Sequence, residues 1–357
     1  MSVTYQTGRR KRRVNIGGPA WMGLIDTPFD QLYNRPHTLP QEAAAVTQYA
    51  FFQGAIVPIE QAKVSIMNHA LNYGTGCFEG LRAYWNPTEA QLFVFRLREH
   101  YQRLLQSTKI LMMSPKYTAE QLSAVTLELL RREGYQTDAY IRPLAYKSNE
   151  IIGVRLHDLN DDLSIWATPF NRYVDNEEGA HVGFSSWRRV SDNTVPPRGK
   201  ITGAYVNSAF IKTEAVQNGY DEALVLNERG YVCEGSAENI FLLRGGQLIT
   251  PPVQEDILEG ITRATIIELA RAELGLETIE RPINRTEVYV ADEAFFCGTG
   301  VQVVAITQCD HRDVGAGRMG PVVGALRELY FKTVRGQLDK YRHWCAPVYL
   351  PETAAAR

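Results

Sequence analysis

Apolar and polar positions divide this chain into five stretches. Residues 1–46 show no sustained periodicity and carry Gly17, Gly18, Pro19, Pro28, Pro36 and Pro40, the composition of an extension or arm. Regular patterning starts with Tyr49-Ala50-Phe51-Phe52 and Ala55-Ile56-Val57-Pro58, two short apolar runs around Gln53-Gly54, which predict a β-hairpin. Apolar residues then recur at helical spacing over Leu97–Ile110 and over Ala119–Arg132, the second stopped by Gly134. Apolar runs at Ala139–Tyr146 and Leu163–Phe170 read as strands, completing a first α/β unit over 47–170.

The stretch 171–180, with Asp175, Asn176, Glu177 and Glu178, has the polar composition of a linker. Beyond it the pattern predicts a strand at His181–Trp187, a helix at Tyr205–Asn218 stopped by Gly219, and several strands between Glu222 and Ile249. Helices follow at Thr262–Leu274, stopped by Gly275, and at Val322–Tyr341, so a larger second domain spans 181–343. The remainder, 344–357, reads as a tail.

Composition narrows the options. A length of 357 residues suits two domains that each bury a core, and 45% apolar with 22% charged residues is ordinary globular usage. The formal net charge of −2 hides an asymmetry. Removing Arg9, Arg10, Lys11, Arg12 and Arg13 from the 38 basic residues leaves 33 against 40 acidic ones, about −7 for the body. Such a body lacks the positive field used in nucleic-acid binding, and the basic run reads as a mobile solvated tail. No apolar run approaches the roughly 20 residues of a membrane helix, and no secretory signal follows Met1. Cys77, Cys233, Cys297, Cys309 and Cys345 show no paired spacing, so free thiols in a reducing cytoplasm are expected, with no metal site.

Four segments could carry chemistry. Lys200 lies between the turn residues Pro196-Pro197-Arg198-Gly199 and an apolar helix; it is a solvated side chain or an amine held rigidly enough to meet a carbonyl. Glu234-Gly235-Ser236-Ala237-Glu238-Asn239 sets acids among strand residues, either as a surface turn or as buried carboxylates with partners. Gly260-Ile261-Thr262-Arg263 opens a helix, which suits a phosphate or plain capping. Cys297-Gly298-Thr299-Gly300 is a simple turn or a set of backbone donors for an anion.

Taken in order, and with Asn72-Tyr73-Gly74, Cys77-Phe78-Glu79-Gly80-Leu81-Arg82-Ala83-Tyr84, Tyr140-Ile141-Arg142-Pro143-Leu144 and Ser185-Ser186-Trp187, these segments resemble the fold type IV pyridoxal-phosphate enzymes, most closely the branched-chain amino acid aminotransferases. The resemblance runs from about Tyr49 to Lys340. It implies an α+β / α/β fold of two domains, a small α/β sandwich and a larger pseudo-barrel that binds pyridoxal 5'-phosphate.

The roles it implies follow residue by residue. Lys200 would form the Schiff base and move the substrate proton, Glu234 would keep the pyridine nitrogen protonated, and Tyr205 would bond the phenolic oxygen. Arg103 would grip the phosphate with Ile261, Thr262 and Thr299. Tyr140, Thr299 and Gly300 would receive the α-carboxylate, while Arg142 reaches the distal carboxylate of glutamate. Phe78, Gly80, Arg82, Phe170 and Tyr173 would shape the pocket, with Tyr73 arriving from a neighbouring subunit of a homodimer or higher oligomer.

The implied reaction is ping-pong transamination between leucine, isoleucine or valine and 2-oxoglutarate in the cytoplasm. A D-amino acid or (R)-amine aminotransferase, an aminodeoxychorismate lyase of the same fold, and a silent cofactor-binding interaction protein are the alternatives. Gly300 departs from the alanine common in the family, and both chain ends lie outside the resemblance.

Overall fold

The computed structural model describes residues 48–170 and 179–350. The extension 1–46 with Arg9–Arg13, most of the linker including Tyr173, and residues 351–357 lie outside the described residues.

The expected hairpin forms: β1 (Tyr49–Phe52) and β2 (Ala55–Pro58) pair antiparallel, Phe52 opposite Ala55. A short helix, α1 (His69–Tyr73), opens where the Asn68 side chain accepts the Ala70 and Leu71 N–H groups. Strands β3 (Gly76–Phe78), β4 (Leu81–Asn86) and β5 (Gln91–Phe95) follow. The hydrophobic pattern does not announce them. Both faces of β3 and β4 are covered, which removes the apolar–polar alternation, and Gly80 and Pro87 break the run. Helices α2 (Leu97–Ile110) and α3 (Ala119–Glu133) match expectation, the latter opened by reciprocal bonds between Thr118 and Gln121. Strands β6 (Ala139–Lys147) and β7 (Asp161–Pro169) then pair along their whole length.

The second half runs β8 (Ala180–Arg188), α4 (Tyr205–Gln217), β9 (Glu222–Leu226), β10 (Val232–Gly235), β11 (Asn239–Arg244) and β12 (Gln247–Thr250). It continues through α5 (Ile261–Leu274), β13 (Thr278–Glu280), α6 (Arg285–Tyr289), β14 (Glu293–Gly298), β15 (Gln302–Cys309), β16 (Arg312–Asp313), α7 (Pro321–Val334) and β17 (Cys345–Pro347).

The first sheet has the order β17-β5-β4-β6-β7-β1-β2, with β3 against β6 and every pairing antiparallel. Leu81, Leu92, Ile141 and Ile165 of this sheet are sealed by Leu104, Leu122 and Leu129 of α2 and α3. Each such buried side chain contributes about 1.5–3 kcal/mol. The second sheet, β10-β9-β8-β15-β14-β11-β12-β13, is mixed: β8 runs parallel to β9, so α4 is the crossover between them. Tyr84, Phe93 and Phe95 of the first sheet share one apolar cluster with Phe241, Phe295 and Leu326 of the second half. That shared core holds the two sheets together beside the candidate site.

Two expectations change at the C-terminal end. The late helix stops at Val334 instead of reaching Tyr341, because Gly336 takes a left-handed φ of 67°, and a 3-10 turn carries Asp339–Trp344. Residues 344–350 of the expected tail are built in. Their strand β17 pairs with β5, and the Arg96 guanidinium lies 3.6 Å from the Trp344 ring centre. Trp344, Cys345 and Val348 are apolar and buried, which is why the segment packs. All five cysteines are buried and free of disulfides, as expected.

Candidate active site

The seam between the sheets begins at Lys200. Its backbone is tied into the first half: Phe78 N–H donates to the Lys200 carbonyl (3.0 Å), Lys200 N–H donates to Ser107 Oγ (3.2 Å), and Ile201 bridges to Cys77. Just beyond, Thr202 Oγ1 donates to the Gly74 carbonyl at 2.9 Å. So the backbone around the lysine is anchored to the first half at four points. Its Nζ donates to Tyr205 Oη at 2.5 Å and stands 5.1 Å from the Phe78 ring centre, a position that also favours a cation.

Across the cavity, Glu234 lies near the end of β10 and is buried. Its Oε2 accepts from Asn239 Nδ2 (3.1 Å) and from Leu258 N–H (3.2 Å), while Arg189 Nη2 lies 3.2 Å from Oε1. Burial pushes the Glu234 carboxyl up from its ordinary value, against the pull of Arg189, the Leu258 N–H and the Lys200 charge. Asn239 also donates to the Leu258 carbonyl at 3.0 Å. A Cβ on Gly260 would overlap Asn239 Oδ1, so this position needs glycine for close approach.

Gly260 is also the N-cap of α5 and supplies no capping side chain, leaving the first helical N–H groups, including Ile261 and Thr262, at the cavity wall. The positive end of the helix dipole favours an anion there. Arg103 of α2 meets the same wall, its Nη1 donating to the Glu259 carbonyl at 2.8 Å. On the third side, the turn at Thr299 and Gly300 joins β14 to β15.

The remaining wall is β6 and β7. Tyr140 and Arg142, two residues apart, face the same side of the sheet, and Arg142 donates from Nη2 (2.7 Å) and Nε (3.2 Å) to Tyr140 Oη. The Arg142 guanidinium also lies 4.3 Å from the Phe78 ring centre. Phe170 packs against Tyr140. The groups enclose one cavity of about 490 Å³, a size suited to a cofactor and a small substrate together.

A family model described as amino-transferase class IV matches residues 76–309. The chain belongs to the class IV aminotransferases. The probable branched-chain-amino-acid aminotransferase of Aquifex aeolicus is 48% identical over 301 residues, 84% of this chain and 97% of that protein. The crystal structure of the branched-chain aminotransferase of Thermoproteus uzoniensis with norvaline is 44% identical at a TM-score of 0.81, covering 85% of this chain and 100% of the other. That of the branched-chain amino acid aminotransferase of Thermobaculum terrenum, in its PLP-bound holo form, is 39% identical at a TM-score of 0.81, covering 85% and 99%. The two-domain class IV fold is therefore the fold of this chain.

Within this class IV aminotransferase, Lys200, Tyr205, Glu234, Arg103, Ile261, Thr262, Thr299, Gly300, Phe78, Gly80, Tyr140, Arg142 and Phe170 all line the one cavity. Of the pocket residues expected from this chain, Arg82 does not line it, and Tyr73 is expected from a neighbouring subunit. Arg82 is buried on β4 opposite Tyr140, with its guanidinium 4.9 Å from the Phe170 ring centre, so it backs the wall. Tyr73 sits on α1, packed on His69 and accepting the Gly153 N–H at 3.2 Å. Tyr173 lies outside the described residues.

Sequence reasoning missed Arg189, Asn239, Trp166 and Thr168, which also line the cavity. Trp166, Thr168 and Phe170 share a two-residue period, so the alternation of β7 could have found the first two. Arg189 follows the last residue of β8 and carries no local signal of its own.

Proposed function

We propose that this class IV aminotransferase exchanges amino groups among leucine, isoleucine or valine, glutamate and their 2-oxo acids, using pyridoxal 5'-phosphate. The observation that carries this reading is the lysine amine 2.5 Å from Tyr205 Oη, in one cavity with a buried carboxylate and a helix N-terminus. When bound, the cofactor supplies an aldehyde for the amine and a ring that accepts the Cα electron pair.

The donor set fits that cofactor. Arg103 and the N–H groups of Ile261 and Thr262 suit the phosphate, and Tyr205 suits the phenolic oxygen. Glu234 suits a protonated ring nitrogen, since a cationic partner offsets the burial that raises its pKa. Lys200 holds the cofactor in the resting protein and then, as a free amine, carries the proton taken from the substrate Cα. Tyr205 orients that amine. Phe78, Trp166 and Phe170 exclude water and receive a branched side chain; Tyr140 with the Thr299–Gly300 backbone takes the α-carboxylate. Arg142, held against Phe78 and Tyr140, pairs with the distal carboxylate of glutamate.

The working unit in this reading is a homodimer. Around Tyr73, a bond between His69 and the Gly153 carbonyl and one from the Gly153 N–H to Tyr73 join two exposed apolar strips, Ile66, Met67 and Leu71 on one and Ile152 and Val154 on the other. Ile66 is 84% exposed and Ile152 95%, and a second copy covers such a patch. In this reading domains at 47–170 and 181–343 hold the cavity between them. Among the described residues no helix is long and apolar enough to cross a membrane, and a cytoplasmic enzyme is the reading we favour.

The test is conversion of 2-oxoglutarate and an L-branched amino acid to glutamate by purified protein. Turnover with leucine, isoleucine or valine supports the reading. Activity confined to D-amino acids, (R)-amines or aminodeoxychorismate would replace it.

A further inference from the structure

Behind the phosphate end of the cavity, Arg103 belongs to a buried trio whose other two members the mechanism above does not use. Glu79, between β3 and β4, is 0% exposed, and His100 and Arg103 of α2 are both buried beside it. The Glu79 N–H donates to the Pro143 carbonyl at 3.0 Å, which fixes its backbone against β6. Arg103 Nε donates to Glu79 Oε1 at 2.7 Å and Nη2 to Oε2 at 2.8 Å, a two-pronged pairing. His100 Nδ1 lies 2.8 Å from the same Oε2.

A negative charge beside an anion site weakens it unless the charge has another task. The geometry shows the task. A guanidinium has five N–H donors. Glu79 takes one from Nε and one from Nη2, and the Glu259 carbonyl takes one from Nη1 at 2.8 Å. One hydrogen on each terminal nitrogen is left. Those two are free for an anion in the cavity that Arg103 lines. We infer that Glu79, steadied by His100, is a positioning residue that aims the remaining terminal N–H groups of Arg103 at the cofactor phosphate. This inference rests on the cofactor reading above.

The charges support the geometry. Burial alone raises the Glu79 carboxyl, yet Arg103 and His100 hold it well below the usual carboxylate range. Burial lowers the His100 pKa against the pull of Glu79, and Nδ1 donates to Oε2, since a carboxylate oxygen only accepts. The Glu79–Arg103 pair then carries no net charge, and the phosphate is selected by aimed hydrogen bonds rather than by excess positive charge.

The experiment compares equilibrium binding of pyridoxal phosphate and of pyridoxal, which lacks the phosphate, to cofactor-free protein. Absorbance of the Lys200 adduct is the readout, independent of turnover. Glu79→Gln is expected to weaken pyridoxal phosphate by roughly tenfold or more while changing pyridoxal less than about twofold. In an Arg103→Ala background the same substitution adds no further loss, because its effect passes through the guanidinium. His100→Asn keeps the ion pair and so provides a variant should Glu79→Gln fold poorly; it shifts the preference in the same direction, by roughly threefold. Equal losses for both compounds, or losses that add to those of Arg103→Ala, overturn the inference. Wild-type protein forming no adduct with either compound overturns instead the cofactor reading beneath it.

Discussion

Gly80 and Tyr140 are matched in space: a Cβ on Gly80 would overlap the Tyr140 hydroxyl. Tyr140 Oη in turn accepts both Arg142 bonds, so glycine at 80 sets where the Tyr140–Arg142 pair stands. Gly80→Ala is expected to displace Tyr140 at a cost of about 1–3 kcal/mol. Most of that cost falls on substrate binding. Steady-state kinetics should show KM for the amino acid rising about tenfold or more, with a smaller change in kcat. An unchanged KM would separate Tyr140 from the substrate.

Arg142 stacks on Phe78 and bonds Tyr140, one guanidinium serving two environments. Arg142→Ala should lower kcat/KM for glutamate by roughly tenfold to a hundredfold, the worth of a charge-assisted bond. Leucine should lose only a few fold. Single-turnover measurements of the two half-reactions distinguish these outcomes, and equal losses would contradict the distal-carboxylate role.

Much of this arrangement can be read from the residues in order. Helices α2 to α5 follow directly from apolar spacing and from the glycines at 134, 219 and 275. Strands β3 to β5 do not, because burial on both faces erases the alternation that marks a strand. Lys200 and Glu234 stand out because each breaks its local pattern, a lysine between turn residues and an acid in a strand, but their roles come from the ordered motifs of the resemblance. Arg189 does not stand out, since its meaning comes from bonds to Gly235 and Ser236, about 46 positions away. Arg82 shows the converse error: its motif is right, but its strand turns it behind the wall. The built-in C-terminal strand is hidden because β17 is three residues long and pairs far back in the chain with β5.

Glu238 offers a pH test on cofactor-free protein. Burial, then the charge of Glu222, pushes its carboxyl up to about 8, while the Ala237 N–H and Lys212 oppose the shift. A carboxyl whose folded pKa is raised binds its proton more tightly when folded. Its contribution is therefore complete below the ordinary value of 4.5 and is lost as pH rises toward 8. Wild-type cofactor-free protein should lose melting temperature across that window, on the order of 5 °C more than Glu238→Gln. Parallel melting profiles for the two proteins would contradict this.

Asn239 links Glu234 to the loop before α5 through Leu258. Asn239→Ala removes a buried bond to the carboxylate, which costs about 1–3 kcal/mol. The predicted result is a few-degree drop in Tm by calorimetry together with weaker cofactor retention on dialysis. Loss of stability with full retention would leave Asn239 a purely structural residue.

The central claim is that the Lys200 amine, held by Tyr205, carries the Cα proton. Its most direct test is the single-turnover rate of Lys200→Ala loaded with pyridoxal phosphate and mixed with leucine. The account predicts that this variant still binds the cofactor through Arg103 and the α5 N-terminus, yet transfers the amino group roughly a thousandfold or more slowly than wild type. A rate within tenfold of wild type would contradict it.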